Sequence, residues 1–172
     1  FGNCHQKHLN LIIGASTSTY VVQPGHRGVE VILGKVSPAF KPEGFGFKLP
    51  FVTTIVPQLI RQRTAKMQAD CYSSDLQQVA IHVRVLYRVP QASVVAMFRD
   101  YSGDPFEMLV KPRVAEAIKE ITALRTAEVI VQKREDVKSR TLESAKRKVG
   151  DLLVIEDLVI EDINLTKSLE TA

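Results

Sequence analysis

The 172 residues are 45% hydrophobic and 24% charged, the composition of one ordinary domain or two small subdomains, which excludes a disordered, collagen-like or disulfide-knotted chain. With two cysteines, Cys4 and Cys71, and no CxxC pair, neither a disulfide framework nor a structural zinc site is expected. Residues 1–68 carry eight Lys and Arg against Glu30 and Glu43 alone, whereas residues 69–172 carry fifteen against seventeen Asp and Glu, so a basic end suits an anionic surface and an acidic end suits the basic end of a neighbouring copy.

In chain order, the longest weakly polar stretch, residues 9–22, is broken by Asn10 and by the run Ser16 to Thr19 and falls short of the ~20 apolar residues of a membrane helix. Because the chain starts at Phe1, an upstream anchor or signal is expected to precede it. Residues 19–33, TYVVQPGHRGVEVIL, are two β-branched runs about a Pro-Gly turn: strand, turn, strand. Residues 37–51, SPAFKPEGFGFKLPF, pack three prolines, two glycines and four phenylalanines together and are expected to be loop, unusually apolar for one. Residues 58–72 and 77–89 are two extended runs. In the second, Val79, Ile81, Val83, Val85 and Tyr87 alternate with Ala80, His82, Arg84, Leu86 and Arg88, the pattern of a half-buried strand. Ser73, Ser74 and Asp75 supply the turn of an antiparallel hairpin.

Helical periodicity follows. Residues 91–100 form a short helix, and Asp104 as N-cap with Pro105 at the first position opens another to about Ile121, kinked or restarted at Pro112. Thr126 is the expected N-cap of a helix over 127–149, with Val129, Ile130, Val137, Thr141, Ala145 and Val149 on one stripe and Gly150 as its stop. Residues 152–165, LLVIEDLVIEDINL, are strand, and Glu156-Asp157 and Glu161-Asp162 place it at a sheet edge or give it acidic contacts. The expected class is α+β: a mixed antiparallel sheet with packed helices in two subdomains. Residues 1–18 are an N-terminal tail or membrane-proximal segment, 19–90 the first, mainly stranded subdomain, 91–165 the second, with helices and a strand, and 166–172 the start of a C-terminal helix.

Catalytic signatures are missing from the sequence. It holds no GxSxG, HExxH, GxxxxGK[ST] or GxGxxG, and Gly44-Phe-Gly46 lacks the helix start that would cradle a phosphate. Cys4, His5 and His8 have the donor types of a small metal site, against the plainer reading of a tail. Cys71, with His82 on the facing strand, has the elements of a thiol nucleophile and base, against an ordinary core or edge thiol. Asp151, Glu156, Asp157, Glu161 and Asp162 form a carboxylate cluster or a solvated edge. The expectation is no enzyme, with no catalytic, cofactor or metal site. Few aromatics interleave the basic charges, which disfavours nucleic acid.

The run VVQPGHRGVEVILGKVSPAFKPEGFGFKLPFVTTI, followed by ALRTAEVIVQKREDVKSRTLESAKRKVGDLLVIEDLVIEDINLTKSLETA, resembles the SPFH (band 7) domain of the prohibitin/stomatin family, in the form found in prohibitins. The likeness covers about residues 20–172. It rests on Pro24-Gly25 with Gly28-Val29, Leu33-Gly34-Lys35, the loop from Gly44 to Pro50, Thr126-Ala127-Glu128, Gln132 with Arg134-Glu135, and Glu161-Asp162-Ile163. The resemblance implies a membrane-associated scaffold, anchored upstream of Phe1, whose copies or paralogous subunits assemble through this domain and a following coiled coil into rings or cages. It also implies an alternative, a regulatory module that docks and restrains a membrane AAA protease.

Two surfaces are expected from the residues themselves. Phe45, Phe47 and Phe51, with Lys41 and Lys48, suit a membrane contact in which lysines snorkel to headgroups; the competing reading folds the rings back as a core plug. Lys133, Arg134, Lys138, Arg140, Lys146, Arg147 and Lys148 are one half of an oligomer interface, and Glu156, Asp157, Glu161 and Asp162 of the next copy the other. The competing reading pairs those charges within one subunit.

Overall fold

The computed structural model describes residues 18–165; Cys4, His5, His8 and the helix expected over 166–172 lie outside the described residues. The fold is α+β, in two compact units: residues 18–61 with 94–103, and residues 62–93 with 104–165. This division interleaves the chain where the sequence reading draws a single boundary after residue 90. The helix α1 (Val94–Tyr101) belongs to the first unit, because its buried Val94 and Met97 pack it against that unit's strands.

In the first unit, β1 (Thr19–Val22), β2 (His26–Ile32), β3 (Lys35–Lys41), β4 (Gly44–Phe47) and β5 (Thr53–Leu59) form a three-stranded sheet, β3-β2-β5, and a two-stranded ribbon, β1-β4. All pairings are antiparallel. The expected Pro-Gly turn is present: Gly25 has φ +81°, and the His26 amide donates to the Gln23 carbonyl at 3.1 Å.

The expectation of loop over 37–51 is corrected, since β3 and β4 occupy most of it. Pro38 is tolerated because β3 is an edge strand whose register against β2 shifts between Val29 and Val31; edges and bulges are where a sheet can lack an amide donor. Gly46 is needed in β4 because the ring of Tyr20, directly opposite, fills the space that a Cβ would take. The single run expected over 58–72 is also two strands, β5 and β6 (Arg63–Tyr72), one in each unit.

The second unit holds the sheet β6-β7-β8, with β7 (Gln78–Arg88) central and β8 (Val154–Leu165) at an edge. The alternation in β7 behaves as expected: Val79, Ile81, Val83, Val85 and Tyr87 are buried, while Ala80, His82, Arg84 and Leu86 are half-exposed. Two helices cover the buried face. α2 (Lys111–Ala123) packs on β6 and α4 (Arg134–Val149) on β8, with α2 and α4 against each other. Pro112 restarts the helix: one π-helical turn, Phe106–Val110, precedes α2, and the proline lies in the first turn of α2, where no amide partner is lost.

Two helix expectations are corrected. The helix over 127–149 is two, α3 (Ala127–Gln132) and α4, separated by Lys133 at φ −107°, ψ 43°. The break falls in the run QKRED, residues 132–136, where no apolar side chain pins a continuous axis; helices of this length depend on their packed face. Thr126 makes no side-chain cap. Instead Asp75, from the β6–β7 turn, accepts the Ala127 amide at 3.1 Å. Hydrogen bonds from Ser73 and from that amide hold the Asp75 carboxyl below its ordinary range.

The acidic breaks in β8 have a structural cause. Ile155 pairs with Tyr87 and Asp157 with Leu86, so Glu156 is an extra residue; Ile160 pairs with Val83 and Asp162 with His82, so Glu161 is another. Each Glu-Asp therefore marks a β-bulge, and the bulges keep Leu153, Ile155, Leu158 and Ile160 on the buried side despite spacings that alternate between two and three.

Gly28 is a sensitive point of the first unit. It is buried between the side chains of Ile55, Val22 and Lys41, and a Cβ there would stand 2.6 Å from Ile55 Cγ2 and 3.0 Å from Val22 Cγ2. Gly28→Ala is expected to destabilise by roughly 1–3 kcal/mol through overpacking, seen as a lowered denaturation midpoint; an unchanged midpoint would show that the strands yield freely.

Candidate functional surfaces

Cys71 is buried, and its thiol donates to the Val79 carbonyl at 3.2 Å. Burial pushes the thiol pKa up, the wrong direction for a nucleophile. Cys71 lies opposite Val79, on the helix-covered face, whereas His82 alternates with the buried residues of β7 and faces the other way. Three of the four carboxylates of β8 are partnered by cations. Glu156 bonds Arg88 Nε at 2.6 Å, Glu161 is held by Arg84 and lies 3.6 Å from Lys66, and Asp157 is 3.5 Å from Lys138. In a groove of about 510 Å³ between α2 and α4 the polar lining is partly paired: Ser144 donates to Glu120 at 3.3 Å, and Arg140 bonds Asp136, outside the groove, at 2.9 Å.

The eleven charged residues expected at an oligomer interface are largely occupied within the chain. Lys138 and Asp157 form the direct ion pair between α4 and β8. Arg134 donates to the Glu161 carbonyl at 3.1 Å. Lys148 reaches back to α2, 2.9 Å from Glu116 and 2.7 Å from Glu120; those bonds hold the Lys148 ammonium pKa up and the Glu116 carboxyl pKa down. Asp162 accepts the amide of Ile163. Among the described residues no ion pair takes Lys133, Lys146, Arg147 or Asp162.

The apolar surface lies in the first unit. Val21 stands opposite Phe45 and Thr19 opposite Phe47 in the β1-β4 ribbon, so Val21, Phe45 and Phe47 share one face. The opposite face is filled by Tyr20 and the buried Val22. The outer side chains are therefore left at the surface: Phe45 is 65% exposed, Phe47 75% and Phe51 88%. The rings of Phe45 and Phe47 meet edge to face with centroids 5.2 Å apart. They do not serve as core; Val22 and Val29 are the buried apolar side chains of this unit's strands.

Three further exposed apolar residues of this unit were missed by the sequence reading: Val21, on the face of Phe45 and Phe47, and Leu33 and Leu49. Leu33 and Phe51 both hold positive φ, +47° and +68°, a conformation unusual for bulky side chains. Their turns are joined by the Leu33 amide, which donates to the Val52 carbonyl at 2.9 Å. The available signal was β1 itself, where Tyr20, Val21 and Val22 make both faces apolar. Of the two lysines expected beside the rings, Lys41 is tied to Glu30 at 3.2 Å, while Lys48 extends the ribbon, its amide bonded to the Ser18 carbonyl at 2.7 Å. No helix among the described residues is long and apolar enough to cross a membrane.

Residues 20–172 match the SPFH domain / Band 7 family. The chain is 26% identical over 151 residues to Prohibitin-2 of Schizosaccharomyces pombe, covering 87% of this chain and 51% of that protein. It is 26% identical over 165 residues to Prohibitin-2 of Gallus gallus, covering 94% and 55%, and 25% identical over 174 residues to Prohibitin-2 of Mus musculus, covering 95% and 58%. The chain thus spans about half the length of the curated relatives it matches.

Exposure makes a prediction about folding. Replacing Phe45 and Phe47 together by Ser removes one edge-to-face pair and little buried area, so thermal unfolding is expected to show a loss no greater than about 0.5–1.5 kcal/mol. Loss of the folded baseline would mean that the rings act as core.

Proposed function

The chain belongs to the SPFH domain / Band 7 family, and on that premise we propose that it is a membrane-associated oligomeric scaffold of prohibitin type rather than an enzyme. The observation that carries the proposal is the exposed apolar face of the β1-β4 ribbon, Val21, Phe45 and Phe47, in a unit that also exposes Leu33, Leu49 and Phe51. Burying a large apolar side chain is worth about 1.5–3 kcal/mol, so an edge with several of them gains more in contact with acyl chains than in water. Lys48, and Lys35 beside the Leu33-Gly34 turn, supply the cations that an anionic headgroup layer attracts. Lys41, at the end of β3, contributes through its stem while its ammonium stays with Glu30.

Self-assembly is the second part of the proposal. Lys133 at the break before α4, Lys146 and Arg147 on α4, and Asp162 on β8 are the members of the charged set that can turn to a neighbouring copy or a paralogous subunit. Arg134, Lys138, Arg140, Lys148, Glu156, Asp157 and Glu161 serve the subunit first and a neighbour second.

The membrane reading is tested by flotation of the 172-residue chain with vesicles of anionic and of neutral phospholipid. Phe45→Ser with Phe47→Ser is expected to weaken partitioning by at least about tenfold, since two apolar anchors are lost, with the circular dichroism of the fold retained. Equal flotation of a folded double variant would overturn the proposal.

A further inference from the structure

The β6-β7-β8 sheet has two outer edges, and they are built differently. On β8 the bulges at Glu156 and Glu161 interrupt the ladder. The carboxylates of Asp157 and Asp162 accept the amides of Leu158 and Ile163 at 2.8 and 2.9 Å, and Arg134 occupies the Glu161 carbonyl. Bulges and charged side chains are the devices that keep an edge strand from pairing with another chain. β6 has no bulge, and its exposed charges, Lys66 and Asp70, are of opposite sign. Its ten residues pair with β7 in one unbroken register, from Arg63 opposite Tyr87 to Tyr72 opposite Gln78. The strand contains neither proline nor glycine. Among the described residues, β7 is its one strand neighbour, and no turn or side chain bonds its main chain. Thr64, Lys66, Gln68, Asp70 and Tyr72 are all exposed along it. A groove of about 290 Å³ opens between Asp70, Cys71 and Tyr72 of β6 and Lys119 and Ala123 of α2.

We propose that the free edge of β6 is a docking site for β6 of a second copy, the two strands running antiparallel about a two-fold axis at Gln68. The order of charges along the strand selects this occupant. With Gln68 opposite Gln68 of the partner subunit, Lys66 faces Asp70 of the partner subunit and Asp70 faces Lys66 of the partner subunit. Directly opposed side chains in an antiparallel pair lie about 4.5–5.5 Å apart, close enough for opposite charges to attract and like charges to repel. A parallel, in-register pairing would set Lys66 and Asp70 each against its own kind. On the other face Met67 meets Ala69 of the partner subunit and Ala65 meets Cys71 of the partner subunit, large against small and small against medium. The contact is isologous, so each copy both gives and receives it, and the main-chain ladder it adds is the strand-addition mode of recognition. Lys66 is free to swing toward it: its side chain is 67% exposed and 3.6 Å from Glu161, which Arg84 also holds. The surface is separate from the apolar edge of the first unit and does not depend on the membrane reading.

Sedimentation equilibrium of the 172-residue chain, without lipid, is the test. Lys66→Glu and Asp70→Lys each turn both cross-strand attractions into repulsions, and each is expected to weaken dimerisation by about tenfold or more. The double variant carrying both restores opposite charges at both contacts and is expected to recover the wild-type dimer. In a Cys4→Ser background, Gln68→Cys is expected to cross-link rapidly under mild oxidation and Thr64→Cys slowly, because residue 64 is opposed by Tyr72 of the partner subunit. A folded wild-type chain that stays monomeric would overturn the proposal. So would a dimer indifferent to the single reversals, a double variant that fails to recover while folded, or equal cross-linking at 64 and 68.

Discussion

A two-stranded β-ribbon packed on a domain can bury only one of its faces, and in this chain both faces of β1-β4 are apolar. Val22 is buried and the ring of Tyr20 lies over Gly46, which commits the inner face to the unit's own core. The alternation of the strand then drives Val21, Phe45 and Phe47 outward. Two non-glycine residues with positive φ, Leu33 and Phe51, also leave their side chains exposed. Large apolar patches on a folded surface mark contact with another phase or another molecule. The proposed membrane contact rests on this ribbon.

The second unit settles its charges locally. Arg84 and Arg88 on β7 take Glu161 and Glu156 from the bulges of β8, and Lys148 ties α4 to α2. Exposed pairs of this kind contribute only about 0–1 kcal/mol each. Their effect is to fix the register of an edge strand whose apolar spacing is irregular. The sheet has one edge interrupted by bulges and one in unbroken register, and that asymmetry is set by where the bulges fall.

Much of the second unit was legible in the sequence, because strict alternation in β7 and three-four spacing in α2 are the direct imprint of a buried face. The first unit was less so. Proline and glycine in residues 37–51 read as loop, yet Pro38 sits on an edge strand and Gly46 makes room for a ring brought from β1; the same residues serve both purposes, and only the pairing distinguishes them. The cap of α3 was hidden for a related reason: Asp75 is 52 residues from the amide it holds, while the local candidate, Thr126, makes no such bond. At the apolar surface the phenylalanines were evident from composition, but Val21, Leu33 and Leu49 became visible only once β1 was paired with β4 and the two turns were joined through Leu33 and Val52.

The central claim is that the outer face of this ribbon enters the acyl region of a bilayer, and the chain contains no tryptophan, so a single Phe47→Trp reports on that face alone. Its fluorescence should be recorded with anionic vesicles containing lipids brominated along the acyl chain. The account predicts a blue-shifted emission on adding vesicles and strong quenching by the brominated lipid. An emission that stays at its aqueous position, unquenched while the protein floats with the vesicles, would show that the membrane is met through some other surface and would contradict the account.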